Sequence, residues 1–381
     1  MKILINALSV TTGGGLTSFL HLVPAFANVD ARNEYHVLLS RYQTKLLAAI
    51  PEKVRMHVVN FNPKETFVRL LYEQFVLPWL VLRWNIDWLY SPGNSTSVFA
   101  PCHVLLVVEN ANPYSTQRFD WPWKERFRKT ILYHLGRCSA WRATKIRFLS
   151  HNSKELISAK LKIPERKAVV IPHGVSVNNN QVSQRVLPQR LPARYILTVT
   201  NIGPHKNLHT LFEAFDTLVT RYGYPGSLVI VGEATYGTYY QTLLEHKQRL
   251  RSGDRMIFLG WIDPEQLPAV YHQAELFVFP SVEETFGLPV VEAMAEGVPV
   301  LVPEARENDR QLFIPYREFC GDAVAYFEPF SAEQLYEQMR RILEDQSLRE
   351  RLSAEGKRVA HRYRWDDVAA ALVDVFEGAQ Q

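Results

Sequence analysis

At 381 residues, with 47% apolar and 22% charged side chains, the sequence is long for one domain and rich enough in apolar residues for two globular cores. A net charge of +4 is mild and names no partner by itself. Three scattered cysteines, Cys102, Cys138 and Cys320, form no CxxC pair, which argues against a disulfide framework or zinc module and for a reducing compartment.

The N-terminal MKILINALSV has one lysine and too short an apolar run for a signal peptide, so it reads as a first strand. No run of about 18 apolar residues is present, and the most apolar long stretch is cut by Glu73, Pro78, Arg83 and Asp87. Further strand-like runs follow at 35–39, 54–59, 88–90, 103–108, 145–149 and 168–171, with helical patterns at 17–28, 64–83, 124–142 and 153–161. A second series has strands at 195–200, 228–232, 256–260, 276–280, 299–303 and 323–327. Each is short, continuous and β-branched or aromatic, as expected where helices cover both faces of a parallel sheet. The predicted fold is α/β, with two Rossmann-like doubly wound domains over 1–175 and 190–364. Their linker is the polar stretch PHGVSVNNNQVSQRVLPQRLPARY. The carboxyl ends of the two sheets should line a cleft, and the closing helix 365–381 is assigned to the first domain.

The most informative stretch is SVEETFGLPVVEAMAEGVPV. Glu284 is expected in the loop leaving a strand, and Glu292 on the first turn of a helix opened by Pro289. Between them Phe286, Gly287 and Leu288 offer backbone N–H groups beside a helix N-terminus, a ready anion site. Acids near helix starts also occur simply because they favour the dipole there. In the first domain, SVTTGGGLTSF opens a helix, and Gly13, Gly14 and Gly15 let a phosphate approach the backbone or merely make a tight turn. The motif is neither a dinucleotide fingerprint nor a Walker loop. His205 and His209 stand i, i+4, a spacing that can bind metal, but no third ligand is nearby and they read as a solvated helix start.

The segment ETFGLPVVE, preceded by FVFPS and followed by AMAEGVPVLV, resembles the E-x7-E signature of retaining glycosyltransferase family 4, which has the GT-B fold. ILTVTNIGPHKNLHTLFEAF, IVGEATYG, FLGWIDPEQLPAVYHQAELFVFPS and CGDAVAYFEP extend the likeness; TGGGLTSFL, FLSHNSKELI and AVVIPHGV do so less specifically. The resemblance implies a nucleoside-diphosphate sugar as co-substrate. Glu292 would accept hydrogen bonds from ribose, Glu284 would contact donor-sugar hydroxyls near the reacting carbon, and Phe286, Gly287 and Leu288 would hold sugar and diphosphate. Lys206 would neutralise the diphosphate, while Asn201, Gly232, Glu233 and Trp261 would border the donor, with Gly14 and Gly15 opposite. No cofactor and no metal are expected, since the family usually works without one and the chain has no D-x-D pair.

Two departures from the family pattern stand out. Thr200 and Asn201 occupy positions where many relatives carry a glycine and an arginine or another polar residue, and Glu109–Asn110 stands where many place a histidine–aspartate pair. Glu109 could act on the acceptor hydroxyl, bind donor hydroxyls, or be a strand-end acid satisfied by a neighbouring loop.

From Arg118 to Arg147 nine basic residues face two acids, interleaved with Trp121, Trp123, Phe127, Tyr133 and Trp141. That composition suits an anionic membrane surface, or a helix with a solvated basic face; no nucleic-acid module accompanies it. The expected protein is a cytoplasmic enzyme, peripheral on a membrane, that moves a hexose or deoxyhexose to a glycan or lipid-linked acceptor in cell-surface polysaccharide synthesis. A nucleotide-sugar epimerase and a non-catalytic sugar-nucleotide-binding partner are the alternatives.

Overall fold

The structure is a computed structural model that describes residues 1–378 apart from 12, 118, 120, 122, 177–190, 235, 264, 307, 308 and 310. Most of the expected linker therefore lies outside the described residues. The chain divides into two compact units. One comprises Met1–Ser115, Pro122–Gly174 and Tyr363–Gln381; the other comprises Thr116–Trp121 and Val175–Arg362.

The first unit is built on seven strands: β1 Lys2–Asn6, β2 Glu34–Ser40, β3 Arg55–Val59, β4 Trp88–Ser91, β5 His103–Val108, β6 Lys145–Phe148 and β7 Ala168–Val170. They run in the order β3-β2-β1-β4-β5-β6-β7, with every pair parallel. The central strands are buried along nearly their whole length, which is why they read as unbroken apolar runs. The second unit has β8 Tyr195–Val199, β9 Ser227–Val231, β10 Met256–Gly260, β11 Leu276–Val278, β12 Val300–Pro303 and β13 Ala325–Phe327. Their order is β10-β9-β8-β11-β12-β13, again all parallel. Each sheet reverses its strand order beside its first strand, and such sheets present ligand sites at the carboxyl ends of the strands there.

One face of the second sheet is covered by helices Leu208–Thr217 and Ala332–Glu344, which bury Leu211, Phe212, Phe215, Leu335 and Met339 against it. In the first unit the closing helix, Trp365–Gly378, packs on the helix Gly13–Val29. Phe376 meets Phe26 and Trp88 at ring-centre distances of 6.2 and 5.3 Å, and Trp365 stacks on His21 at 5.7 Å.

Two helices differ from the sequence reading. The first begins at Gly13 rather than Thr17, because glycines contribute so little helix propensity that the first turn carries no apolar period. The second runs Thr66–Leu71 and Leu77–Arg83 with a π turn over Tyr72–Val76 between them. Pro78 lacks the N–H that an uninterrupted α-helix needs and its ring crowds the preceding turn, which the wider π turn relieves. That turn also brings Glu73 to face inward, where it is buried and accepts a bond from Asn6 Nδ2 at 3.0 Å.

Candidate active site

In the second unit the site starts where β8 ends. A short turn, Pro204–Lys206, is closed by Asn207 in a left-handed conformation (φ 53°), from which the helix Leu208–Thr217 departs. The loop after β11 is tied to this turn: Val282 N donates to His205 O at 3.1 Å and Ser281 Oγ to the same carbonyl at 3.4 Å. The docking brings two residues 78 positions apart into contact, for Lys206 Nζ forms an ion pair with Glu284 Oε1. Ser281 Oγ donates to the same carboxylate oxygen at 2.9 Å, and Glu284 N is held by Phe313 O at 2.8 Å. The ammonium also lies 5.7 Å from the centre of the Phe279 ring. Lys206 and Glu284, read separately as cation and sugar contact, are thus partners.

Gly287 follows with φ 93°, and a Cβ there would stand 2.9 Å from Tyr316 Cε1. Only glycine takes that conformation and closeness without strain. Phe286 is buried with its ring 4.7 Å from that of Phe319, and the Leu288 side chain is buried too. The helix Leu288–Ala295 starts here; Pro289 has no N–H and Val290 N donates to Gly287 O at 2.9 Å, which leaves the Leu288 N–H as the first-turn donor with no partner within the helix. Glu292 is its fifth residue, not on the first turn as expected, since the helix opens at Leu288, one residue before Pro289. The position is one turn too late to serve as a helix-start acid. Tyr271 Oη instead donates to Glu292 Oε2 at 2.9 Å. Burial pushes the Glu292 carboxyl above its ordinary range, and the Tyr271 bond draws it part of the way back.

The three remaining loops at this sheet edge are hydrogen-bonded together. Thr200 N donates to Val231 O at 2.8 Å, Ile202 N to Glu233 O at 2.8 Å, and Gly232 N to Gly260 O at 2.8 Å. Gly232 is irreplaceable here, because at φ 137° its Cβ would fall inside the Thr200 carbonyl. Asn201, Glu233 and Trp261 are exposed on these loops.

In the first unit Gly13, Gly14 and Gly15 form the opening turn of the helix after β1, with Gly13 at φ 65° and Gly14 exposed. A Cβ on Gly15 would stand 3.3 Å from Glu109 Oε2, so the glycine turn and Glu109 share one site. Glu109 follows β5, and its N–H and that of Asn110 are both held by Asn94 Oδ1, at 2.8 and 3.0 Å. Burial raises the Glu109 carboxyl to about 7, against the opposing pull of the Arg147 cation. Arg147 is fully buried and donates to Ile171 O at 2.9 Å, Pro172 O at 2.7 Å and Tyr90 Oη at 3.0 Å.

Asn94, Tyr271 and Ser281 escaped sequence reading, and Arg147, counted with the basic face, is instead fully buried. Only Asn94, inside the turn-like SPGNST, carried a local signal. A further expectation is corrected. Trp121 does not join the exposed basic face; it is buried against Tyr236 and His205 in the second unit, at 4.9 and 6.0 Å between ring centres. The apolar surface of the second unit takes in this indole, and the chain enters the helix Trp123–Arg142 only after it. Among the described residues no three His, Cys, Asp or Glu side chains gather as metal ligands.

Residues 180–359 match the family Glycosyl transferases group 1. The chain is 30% identical over 185 residues to the O-antigen chain mannosyltransferase B of Escherichia coli, covering 48% of this chain and 45% of that one. It is 24% identical over 306 residues to the O-antigen chain mannosyltransferase RfbU of Salmonella typhimurium, covering 75% and 82%. In fold it is similar to Anabaena Alr3699/HepE, solved in complex with UDP, with a TM-score of 0.72 at 18% identity over 99% and 100% of the chains. The match to the first of these relatives spans about half of either chain. Together these findings support a glycosyltransferase of the GT-B fold.

Proposed function

We propose that this chain, a GT-B glycosyltransferase with a group 1 domain over residues 180–359, moves a hexose or deoxyhexose from a nucleoside-diphosphate sugar to a hydroxyl of a glycan or lipid-linked acceptor in cell-surface polysaccharide assembly. The observation that carries the reading is the Lys206–Glu284 pair beside the Gly287–Leu288 helix start, with Glu292 one turn along. The kinship with O-antigen mannosyltransferases and the UDP-bound neighbour support the substrate class.

In this reading the diphosphate draws the Lys206 ammonium, and the Glu284 carboxylate turns to donor-sugar hydroxyls. Glu292 accepts from ribose, with Tyr271 fixing the carboxylate. Asn201, Gly232, Glu233 and Trp261 border the donor. The bond from the sugar's anomeric carbon to the phosphate oxygen breaks, and the departing diphosphate gains negative charge. Lys206 and the backbone N–H groups of the helix start stabilise that charge, an effect strongest where fixed dipoles already point at it. The acceptor oxygen bonds the anomeric carbon on the same face, and its proton passes to the leaving phosphate oxygen, so configuration is retained. No metal is required in this scheme, because the lysine and helix dipole supply the positive potential.

The glycine turn and Glu109 of the first unit serve the acceptor or the donor hydroxyls. The helix Trp123–Arg142 of the basic segment 118–147 faces an anionic membrane surface on the cytoplasmic side, whereas Trp121 and Arg147 are buried and 118, 120 and 122 lie outside the described residues. Nucleoside diphosphate release, measured over a donor panel with and without acceptor extract and with chelator, tests the reading. Acceptor-dependent release that survives chelation and is lost in Glu284→Ala is expected. Acceptor-independent change of the sugar would point to an epimerase, no turnover of any donor would point to a non-catalytic binding protein, and a fully active Glu284→Ala would refute the assignment.

A further inference from the structure

Among the described residues, many of the exposed large apolar side chains fall on two helices. Phe67, Leu71, Phe75, Trp79 and Leu82 recur at near four-residue spacing along the helix from Thr66 to Arg83, four of the five more than half exposed, and Phe99 lies beside Phe75 at 6.2 Å. A four-residue spacing drifts around a helix of 3.6 residues per turn, and the π turn at Tyr72–Val76 takes part of that drift back, keeping the stripe on one side. The same turn points the helix's only acid, Glu73, inward to Asn6, and Arg69 turns toward that acid with its Nε buried, so the exposed face carries Arg83 but no carboxylate. The Arg83 guanidinium caps the Trp79 ring at 5.4 Å.

A second exposed set, Trp123, Phe127, Ile131 and Trp141, lies on the helix Trp123–Arg142, which has six basic residues against Glu125 alone. Both helices belong to the first unit, and both hold the backbone of one residue. Gln74 Nε2 donates to Thr96 O at 3.2 Å, and Ser139 Oγ accepts from Thr96 N at 3.0 Å. Apolar stripe and basic helix are therefore pinned to a common loop.

We propose that the stripe Phe67–Leu82 lies in the headgroup layer of an anionic bilayer, with the helix Trp123–Arg142 supplying the charge that draws it there. Indole rings and arginines settle at that depth, and juxtaposed basic residues add attraction to anionic lipid. The aromatic stripe alone would also suit a protein, but the basic helix pinned beside it gives the surface a positive charge that anionic lipid complements. A second copy is disfavoured because a two-fold contact through this face would set basic rim against basic rim. Among the described residues no helix is long and apolar enough to cross a membrane, so the contact is parallel to the surface. The inference deepens the proposed function only in sharing its membrane partner; it does not depend on sugar transfer.

Flotation of the full chain with vesicles of phosphatidylcholine, alone or mixed with phosphatidylglycerol, tests it. The chain should float with the mixed vesicles at low salt and be released by high salt. The triple variant Phe75→Ser, Trp79→Ser, Leu82→Ser should bind about tenfold or more weakly while keeping its helix content and nucleotide binding, since the three positions are exposed. Neutralising Lys124, Arg126, Arg128 and Lys129 should weaken binding to mixed vesicles alone. A parent chain that stays unbound at low salt would overturn the proposal, and so would a triple variant that floats like the parent. A parent that is dimeric without lipid and becomes monomeric in the triple variant would assign the stripe to self-association instead. These readouts are independent of donor turnover, so an inactive enzyme that still floats would fail the sugar-transfer reading alone.

Discussion

Replacing Lys206 by alanine removes an ammonium but leaves its partner, the Glu284 carboxylate, with only 16% of its side chain exposed. Breaking a buried ion pair from one side costs about 3–5 kcal/mol; with both side chains slightly open to water, about 2–3 kcal/mol is the expected loss here. In a unit of roughly 190 residues this lowers Tm by about 4–12 °C. Catalysis should fall separately: a charge-assisted bond to the departing diphosphate is worth about 1.5–3 kcal/mol, or about 10- to 150-fold in kcat/KM. The double variant Lys206→Ala, Glu284→Gln removes the stranded charge, so it should recover most of the lost Tm without recovering transfer. Thermal unfolding followed by tryptophan fluorescence, and nucleoside diphosphate release on the same preparations, separate the two effects. A single variant that melts with the parent, or a double variant that regains activity, would refute the reasoning.

Gly232→Ala forces a methyl group into the Thr200 carbonyl at a left-handed φ, so a loss of about 2 kcal/mol or more is expected in a denaturant melt, with weaker nucleotide binding by calorimetry. Tyr271→Phe deletes the bond that fixes Glu292; a several-fold rise in donor KM with kcat nearly kept is expected, whereas an unchanged KM would leave Tyr271 without that role. Because Glu109 holds its proton up to about pH 7, kcat/KM should climb through that pH as its carboxylate becomes free to accept a hydrogen bond from an acceptor or donor hydroxyl, and Glu109→Gln should flatten the limb. Native stability should meanwhile decline as pH rises from the ordinary carboxylate range to about 7, since the folded chain keeps a proton the unfolded chain has released; Glu109→Gln should make that slope shallower in pH-dependent melts, leaving the part due to Glu292 and Glu73.

The two parallel sheets were legible because burial on both faces writes itself as unbroken apolar runs such as YILTV and SLVIV. The carboxylates of SVEETFGLPVVE were legible for a related reason: strand, loop and helix start lie within a dozen residues, so spacing alone brings them near one another. Partnerships were not. Lys206 and Glu284 are separated by 78 positions, Asn6 and Glu73 by 67, and only the tertiary fold makes either pair. The π turn has no composition of its own, since one extra residue per turn leaves apolar spacing nearly intact. Trp121 misled because aromatic and basic neighbours look alike whether the ring faces solvent or a neighbouring core.

The closing helix has a consequence for biosynthesis. Trp365–Gly378 supplies Phe376 to the interior of a unit whose other residues end at Gly174, about 190 positions earlier. At a ribosomal pace of roughly 5–20 residues per second, Phe26 and Trp88, made about 350 and 290 positions before Phe376, wait about 15–70 seconds for the side chain that covers them. The later half of the chain can meanwhile complete its own core, so maturation runs in reverse of synthesis: the portion made first is finished last. Clipping the tail, or stalling translation short of it, would strand an incomplete N-terminal half whose uncovered aromatic rings invite chaperones or aggregation.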